Sequence, residues 1–586
     1  MEVTKVMVTK LPKVDVVTTG MGWTGGIVAA ELTKAGYKVV GLERGVERSI
    51  EDYLHGHDEL KYNVRKELMQ KLNKDTITFR NTLNDEARPV RDESALVVGT
   101  GTGGGGAHWG GQTYRYFPYD FEIRSKTIEK YGEGKIGKDV TIQDWGITYD
   151  EIEPYYSKFE QMAGISGEVD PLAGPRSIDY PTPPLKKLKQ MKMFHEAAEK
   201  LGHHPFVVPT ANVSESYTNP DGETLNACQY CSFCGNYGCE YGAKADPIVT
   251  VIPTAKKTGN FELRTHSLVT RVLYENGKAT GVLYKDIRTG EVFEQPADVV
   301  ALTSYTFNNV RLLLLSGIGQ PYNPKTGTGV IGKNYTDHHT ITGAIGYFEE
   351  EKFNSFIGTG SLGSAFNDFN ADNFDHNGVE FIHGGQIEMH LFGNEPIANN
   401  PAPFGTPTWG KEFKKNSLHY FHRNVTVVSQ RAILPNKNHY LDLDPVYKDD
   451  NGDPLIRVTF DYTAEDHKRN EFLVEKCADV VKEMGADIID VIPMAEHFGG
   501  RFTFQHDAGG AIMGDNPETS AVNNYLQMWD AENLFVCGAS AFPHFGPTNP
   551  TPTAAALTYR ATEGMVQYLK NGGGQLVSAT KSKELV

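Results

Sequence analysis

Three groups of residues in this chain of 586 amino acids have types and spacing suited to chemistry. The first is Gly20-x-Gly22-x-x-Gly25, followed about 20 residues on by Glu43. Glycines so placed permit a tight turn, a close backbone approach to a pyrophosphate, and packing of a helix on a strand. An acid at that distance holds ribose hydroxyls. The second is residues 99–111, GTGTGGGGAHWGG, where glycines crowd around one His108–Trp109 pair. Glycine weakens helices and strands alike, so this stretch has exchanged regular structure for the close approach of a flat group. The third is Cys228, Cys231, Cys234 and Cys239, spaced C-x2-C-x2-C-x4-C. That run is similar to iron–sulfur ligation, with a longer last interval and no following Cys-Pro. A tetrahedral zinc site is a weaker match. The preferred alternative is buried thiols that only pack.

The elements that must position the first group are legible. A short strand, Val14–Thr19, runs into the glycine turn, and a helix follows whose apolar residues include Ile27, Val28 and Leu32. Gly36 stops that helix, and a second strand, Lys38–Leu42, ends at Glu43 and Arg44. Strand, glycine turn, helix, strand and acid together make a dinucleotide site. Thr18 and Thr19 stand where a buried parallel strand is usually apolar. The fingerprint lies at the start of the chain and no second one follows for a nicotinamide, which favours FAD. Glycine beside His108 then suits a flavin ring, with Gly103, Gly104, Ala107 and Trp109 as its neighbours.

Oxidising a hydroxyl requires a group that takes a proton near neutral pH and another that orients the oxygen. Histidine suits the first role and asparagine the second. The C-terminal block offers both, in FTFQHDAGGAIMG (His506) and HFGPTNPTPTAAAL (Asn549), with His544 as a competing base. No G-x-S-x-G elbow, P-loop lysine or H-E-x-x-H motif occurs.

The fingerprint, GGGGAHWGG and NLFVCGASAFPHFGPTNPTPTAAAL together resemble the glucose–methanol–choline (GMC) oxidoreductases, from about Val14 to Met565. Within that family the likeness is to flavoprotein subunits of the gluconate 2-dehydrogenase type and related sugar dehydrogenases, with pyranose oxidase more distant. The resemblance implies His506 as base, from an H-x-x-G-G/T-x-x-M run, and Asn549 as its partner. It implies covalent attachment of FAD through His108, although Ala107 stands where pyranose oxidase has threonine. It further implies backbone contact from Val269 to the adenine end, a return loop at Gly538 and Ala539 to the phosphates, and a helix opening under the ring at Asn549 and Thr551. Some sugar dehydrogenases of the family carry a three-iron cluster at a different cysteine spacing.

The implied fold is mixed α/β. Residues 11–130, 225–330 and 500–575 form a discontinuous Rossmann-type FAD-binding domain. Residues 131–224 and 331–499 form a substrate domain on a mostly antiparallel sheet, and 576–586 a loose tail. The aromatic, His- and Asn-rich segments NYTDHHTITGAIGYFEE and NSLHYFHRNVTVVSQRAILP suit a roof over the flavin. A net charge of −17 argues against a general nucleic-acid binder. No apolar run is long enough to span a bilayer and no secretory signal is evident, so the chain reads as soluble and cytoplasmic, or as carried to a membrane or exported by a partner. The expected activity is oxidation of a sugar or sugar-acid hydroxyl, with electrons leaving to a non-oxygen acceptor through a small subunit and a cytochrome. The rivals are an oxidase that reduces oxygen to peroxide and a non-catalytic flavin relay subunit.

Overall fold

The computed structural model describes residues 7–579, apart from 55, 339–341, 392, 394, 398, 500–503 and 505. The N-terminal fingerprint builds β1 (Val14–Thr19), α1 (Trp23–Lys34) and β2 (Val39–Leu42). The next segments of the same body are β3 (Phe261–Arg264), β4 (Ser267–Glu275), β5 (Lys278–Asp286), β6 (Val292–Leu302) and α2 (Thr306–Ser316). A second body contains β7 (Thr342–Tyr347), β8 (Gly363–Phe366), β9 (Gly385–His390), β10 (Asn424–Arg431), α3 (Ala464–Glu483) and β11 (Ile488–Ile492). The chain then returns to the first body with β12 (Leu534–Val536) and α4 (Thr551–Asn571).

The first sheet has the order β4-β5-β6-β1-β2-β3, and β12 and Val8–Lys10 also pair with β6. β6 is long because it serves two partners in turn. Its first half lies antiparallel to β5, and its second half lies parallel to β1 and β12. Glycines 25 and 26 let α1 pack down. A Cβ at Gly25 would stand 1.9 Å from the Gly20 carbonyl oxygen, and one at Gly26 would stand 2.5 Å from Val251 Cγ2. Thr18 and Thr19, unexpected in such a strand, tie β1 to the end of β6. Thr18 Oγ1 lies 2.9 Å from Thr303 Oγ1, and Ser304 Oγ donates to Thr19 Oγ1 at 2.7 Å. Their hydroxyls are therefore paired in the core, as buried polar groups must be.

The second sheet is antiparallel throughout, in the order β11-β7-β10-β9-β8, with Phe206–Val207 at its far edge. Its strands alternate in character with period two. Val425, Val427, Ile387 and Met389 pack beneath α3 with Leu473, Cys477 and Val480. The alternate residues Asn424, Thr426, Gln430, Glu388 and His390 face the first body across a cavity. A smaller sheet pairs Thr78–Arg80 with Pro454–Thr459, joining stretches that sequence reasoning assigned to different domains. The chain is still held at Leu576, whose N–H donates to Gln527 Oε1 at 2.9 Å, and residues 580–586 lie outside the described residues.

Candidate active site

Between the two sheets lies a cavity of about 1330 Å³. Ordinary ligand sites span roughly 300–1,000 Å³, so this one has room for a large cofactor and a substrate together. Gly20, Gly22, Glu43 and Arg44 line one end, with Val269 from β4 beside them. Gly104, His108 and Trp109 form a wall, and Gly538, Ala539 and Thr551 close the cavity from the C-terminal segment. His506 and Asn549 face the same space.

Gly20 takes a positive φ of 82°, which glycine adopts at little strain, and its N–H is held by the Leu42 carbonyl at 2.6 Å. A Cβ at Gly22 would meet only Gly103 O at 3.8 Å and Gly104 Cα at 3.9 Å, so the backbone there is open to a close neighbour. The buried Glu43 carboxylate accepts the N–H groups of Met21 (3.0 Å), Gly45 (2.8 Å) and Gly101 (3.1 Å). It thus fastens the first glycine turn to the second glycine stretch. Gly103 N–H, donating to Met21 O at 2.8 Å, adds another stitch. Gly25, Gly103 and Ala107 do not line the cavity; Gly25 is a packing glycine, and Ala107 belongs to a small core with Met69 and Tyr237. Arg44 turns to Asp75 and to Gln70 Oε1, the latter at 2.6 Å. On β4 the pairing slips between Val269 and Arg271, which leaves an irregular backbone where Val269 meets the cavity.

His108 is buried, and its Nε2 has no hydrogen-bond partner. Burial, aided by the positive charges of Lys244 and Arg48, pushes its pKa down to about 3. The imidazole is therefore neutral at physiological pH, with a polar atom left unmet at the cavity wall. An orphaned buried nitrogen, a backbone cradle that a Cβ would fill, and an uncapped helix start at Pro550–Thr551 are what a flavin dinucleotide would satisfy. The residues present fit the group.

Asn549 Nδ2 lies 3.4 Å from His506 Nε2. The ring of His506 stacks on His338 (centroids 4.8 Å apart), and His338 in turn lies 4.2 Å from Phe545. His544 is placed differently. It is fully buried, accepts from Trp145 Nε1 at Nδ1 (3.1 Å), and points Nε2 at Asp120 Oδ1 (3.4 Å). His383 Nε2 reaches the same oxygen at 2.8 Å, while the Gly384 N–H donates to its Nδ1. Asp120, His383 and His544 bring potential metal ligands within 4.8 Å. However, both Nδ1 atoms are acceptors, so both Nε2 atoms carry hydrogens directed at Asp120 and offer no lone pair to a metal.

The four loop cysteines are free thiols and do not line the cavity. Among the described residues no three of their sulfurs lie within 4.8 Å of one another, the closeness that a single tetrahedral ion would need. Burial pushes Cys228 up to about 12 and Cys234 to about 11, which keeps both protonated.

Sequence reasoning passed over Glu388, His390, Gln430 and Lys244. Glu388, His390 and Gln430 had a usable signal: polar residues at alternate positions of strands whose other face is apolar. Lys244 had none, because its role depends on joining the nearby cysteine loop to the carbonyl of Trp109, 135 residues away.

Residues 141–340 and 435–558 match family models described as GMC oxidoreductase. The chain is 41% identical to the gluconate 2-dehydrogenase flavoprotein of Pantoea cypripedii, over 96% of this chain and 95% of that one. It is 25% identical to the fructose dehydrogenase large subunit of Gluconobacter japonicus, over 95% and 98% of the two chains. Among solved structures, a formate oxidase variant of Aspergillus oryzae RIB40, described for its FAD modification, shares the fold with a TM-score of 0.60. That likeness covers 96% of this chain and 99% of the other at 13% identity.

Proposed function

The chain belongs to the GMC oxidoreductase family, whose members bind FAD and act on CH–OH donors, and from that premise we propose that it oxidises a hydroxyl of a sugar or sugar acid. The observation that carries this reading is the convergence, on one cavity, of the dinucleotide fingerprint, His108 and the His506–Asn549 pair. FAD, when bound, supplies the two-electron acceptor for the substrate hydride. Gly20, Gly22 and the start of α4 would hold its phosphate and pyrimidine ends, and His108 would be the point of covalent attachment. His506 takes the hydroxyl proton at Nε2. Asn549, which does not titrate, orients the substrate oxygen beside it. The amides and hydroxyls of Asn424, Thr426 and Gln430 on the second sheet, with Gln112 on the loop facing His390, suit a substrate rich in hydroxyl groups. That one relative is a dehydrogenase flavoprotein and another a dehydrogenase large subunit supports a chain that works as the flavin-bearing subunit of a larger assembly, with a small subunit and a cytochrome as the proposed partners. Among the described residues no helix is long and apolar enough to cross a membrane.

The test is anaerobic mixing of the flavin-loaded protein with sugars and sugar acids. Substrate should bleach the flavin, and His506→Ala should slow bleaching by roughly 10²- to 10⁴-fold. Turnover with an artificial acceptor should proceed without peroxide; abundant peroxide would assign an oxidase instead. Bleaching at the normal rate in His506→Ala would place the base elsewhere.

A further inference from the structure

We propose that Glu388, Gln430 and His338 form a positioning chain that sets the tautomer of His506, so that Nε2 is its proton-accepting nitrogen. The inference rests on the reading of His506 as the base.

The chain can be followed atom by atom. Glu388 is buried on β9, and its carboxylate accepts the Tyr114 hydroxyl at 3.1 Å and pairs with His390 Nε2 at 2.6 Å. Gln430 Nε2 donates to Glu388 Oε1 at 2.5 Å, which fixes the amide with its nitrogen toward the acid. Its oxygen then faces His338 Nε2 at 3.2 Å. An amide oxygen only accepts, so His338 Nε2 carries the hydrogen and, in the neutral ring, His338 Nδ1 is the acceptor. His506 Nδ1 lies 3.2 Å from that atom and must therefore donate to it. A neutral His506 with its hydrogen on Nδ1 has its lone pair on Nε2, the atom facing Asn549.

Gln430 also reaches Asn549. Its nitrogen lies 3.4 Å from Asn549 Oδ1, which turns the Asn549 amide nitrogen toward His506. One amide therefore orients both the base and its partner. During turnover the substrate O–H proton passes to His506 Nε2, and the hydride leaves the carbon for the two-electron acceptor. The imidazolium so formed keeps its Nδ1–H on His338, and the series of donors ends on the Glu388 carboxylate. His338 lies between His506 and Phe545, with ring centroids 4.8 and 4.2 Å away, which restricts rotation of its ring. A histidine held in the other tautomer would present a hydrogen where the reaction needs a lone pair.

The tautomer is read directly by NMR of protein labelled with 15N-histidine, with His506 assigned from the His506→Gln spectrum. The wild type should show a protonated Nδ1 and an unprotonated Nε2, and Gln430→Leu should move population to the other tautomer. A wild-type His506 protonated at Nε2 would overturn the chain. In flavin-loaded His338→Phe, which keeps the ring stack, the rate of anaerobic reduction should fall roughly 10- to 100-fold, with half-saturation by substrate little changed. An unchanged rate in that folded, flavin-loaded variant would also overturn it. If no sugar or sugar acid reduces the wild type, the functional reading fails, while the NMR result still decides the chain.

Discussion

Lys244 donates its buried ammonium to the backbone carbonyl of Trp109 at 2.9 Å, across 135 residues of sequence. The same nitrogen donates to the carbonyls of Cys234 (2.9 Å) and Tyr237 (2.8 Å). One side chain therefore clamps the glycine–histidine wall of the cavity to the cysteine loop. Asn236 N–H adds a parallel tie to the His108 carbonyl at 2.8 Å. Burial pulls the Lys244 pKa below that of an ordinary lysine, and the neighbouring Cys234 opposes that shift.

Replacing Lys244 by methionine keeps much of the volume but removes three donors from buried carbonyls. Leaving such groups unmet costs on the order of 1–3 kcal/mol each before relaxation. The expected result is a lower melting temperature and a smaller share of flavin retained by acid-precipitated protein, since His108 loses its fixed backbone. Unchanged melting and unchanged retention would show that the clamp is dispensable.

The fingerprint glycines should separate into two kinds. A Cβ at Gly25 meets a backbone oxygen at 1.9 Å, so Gly25→Ala must move α1 away from β1 and should destabilise the apoprotein by at least about 1–3 kcal/mol. A methyl at Gly22 has nothing closer than 3.8 Å. Gly22→Ala should melt like the wild-type apoprotein yet bind FAD at least about tenfold more weakly, because its methyl stands where the pyrophosphate would approach. Calorimetry of the apoprotein and FAD titration by fluorescence distinguish the two effects. Equal apoprotein melting for both variants would contradict the packing account.

The cysteine loop should carry no metal. Among the described residues no three of its sulfurs lie close enough to share one ion, and the loop is held instead by packing and by backbone hydrogen bonds such as that from Asn236 to His108. Elemental analysis of the purified protein should find neither iron nor zinc in stoichiometric amount, and Cys231→Ala should retain full flavin content. Stoichiometric iron with a broad absorbance beyond the flavin band would restore the cluster reading.

The fingerprint could be read in the sequence because its function is local. The turn, helix and acid from Gly20 to Glu43 are contiguous, and Gly25 answers to the Gly20 carbonyl within that unit, although Gly20 itself packs against Thr303 and Gly22 faces Gly103. His506 and Asn549 needed family resemblance, since the residue types alone could not rank them above His544. The structure separates the histidines physically: His544 has both nitrogens engaged in a buried network with Trp145 and Asp120. The chain from Glu388 to His506 was out of reach, because it crosses β9, β10 and two loops and depends on amide orientation. Thr18 and Thr19 looked like flaws in a buried strand, yet their partners, Thr303 and Ser304, lie 285 residues away.

Acid should weaken the fold over a defined range, and His108 should account for part of that loss. Its folded pKa of about 3 lies below the unfolded value near 6.5, so the fold favours the neutral ring. His195, His376 and His439, each pushed down to about 4 by burial, behave alike. Above pH 6.5 these rings are neutral in both states and stability does not depend on them. As the pH falls below that value the unfolded chain takes up protons that the folded one refuses. Each ring then removes on the order of 1 kcal/mol per pH unit until its folded pKa is reached. In apoprotein made under flavin starvation, His108→Gln should therefore lose stability less steeply between pH 6.5 and 4, by nearly one proton in the uptake measured on unfolding. The comparison uses denaturant titrations across that range, which give stability and its pH slope for both proteins. If the two slopes coincide, His108 is not buried as a neutral ring, and the cavity wall it defines must be arranged otherwise.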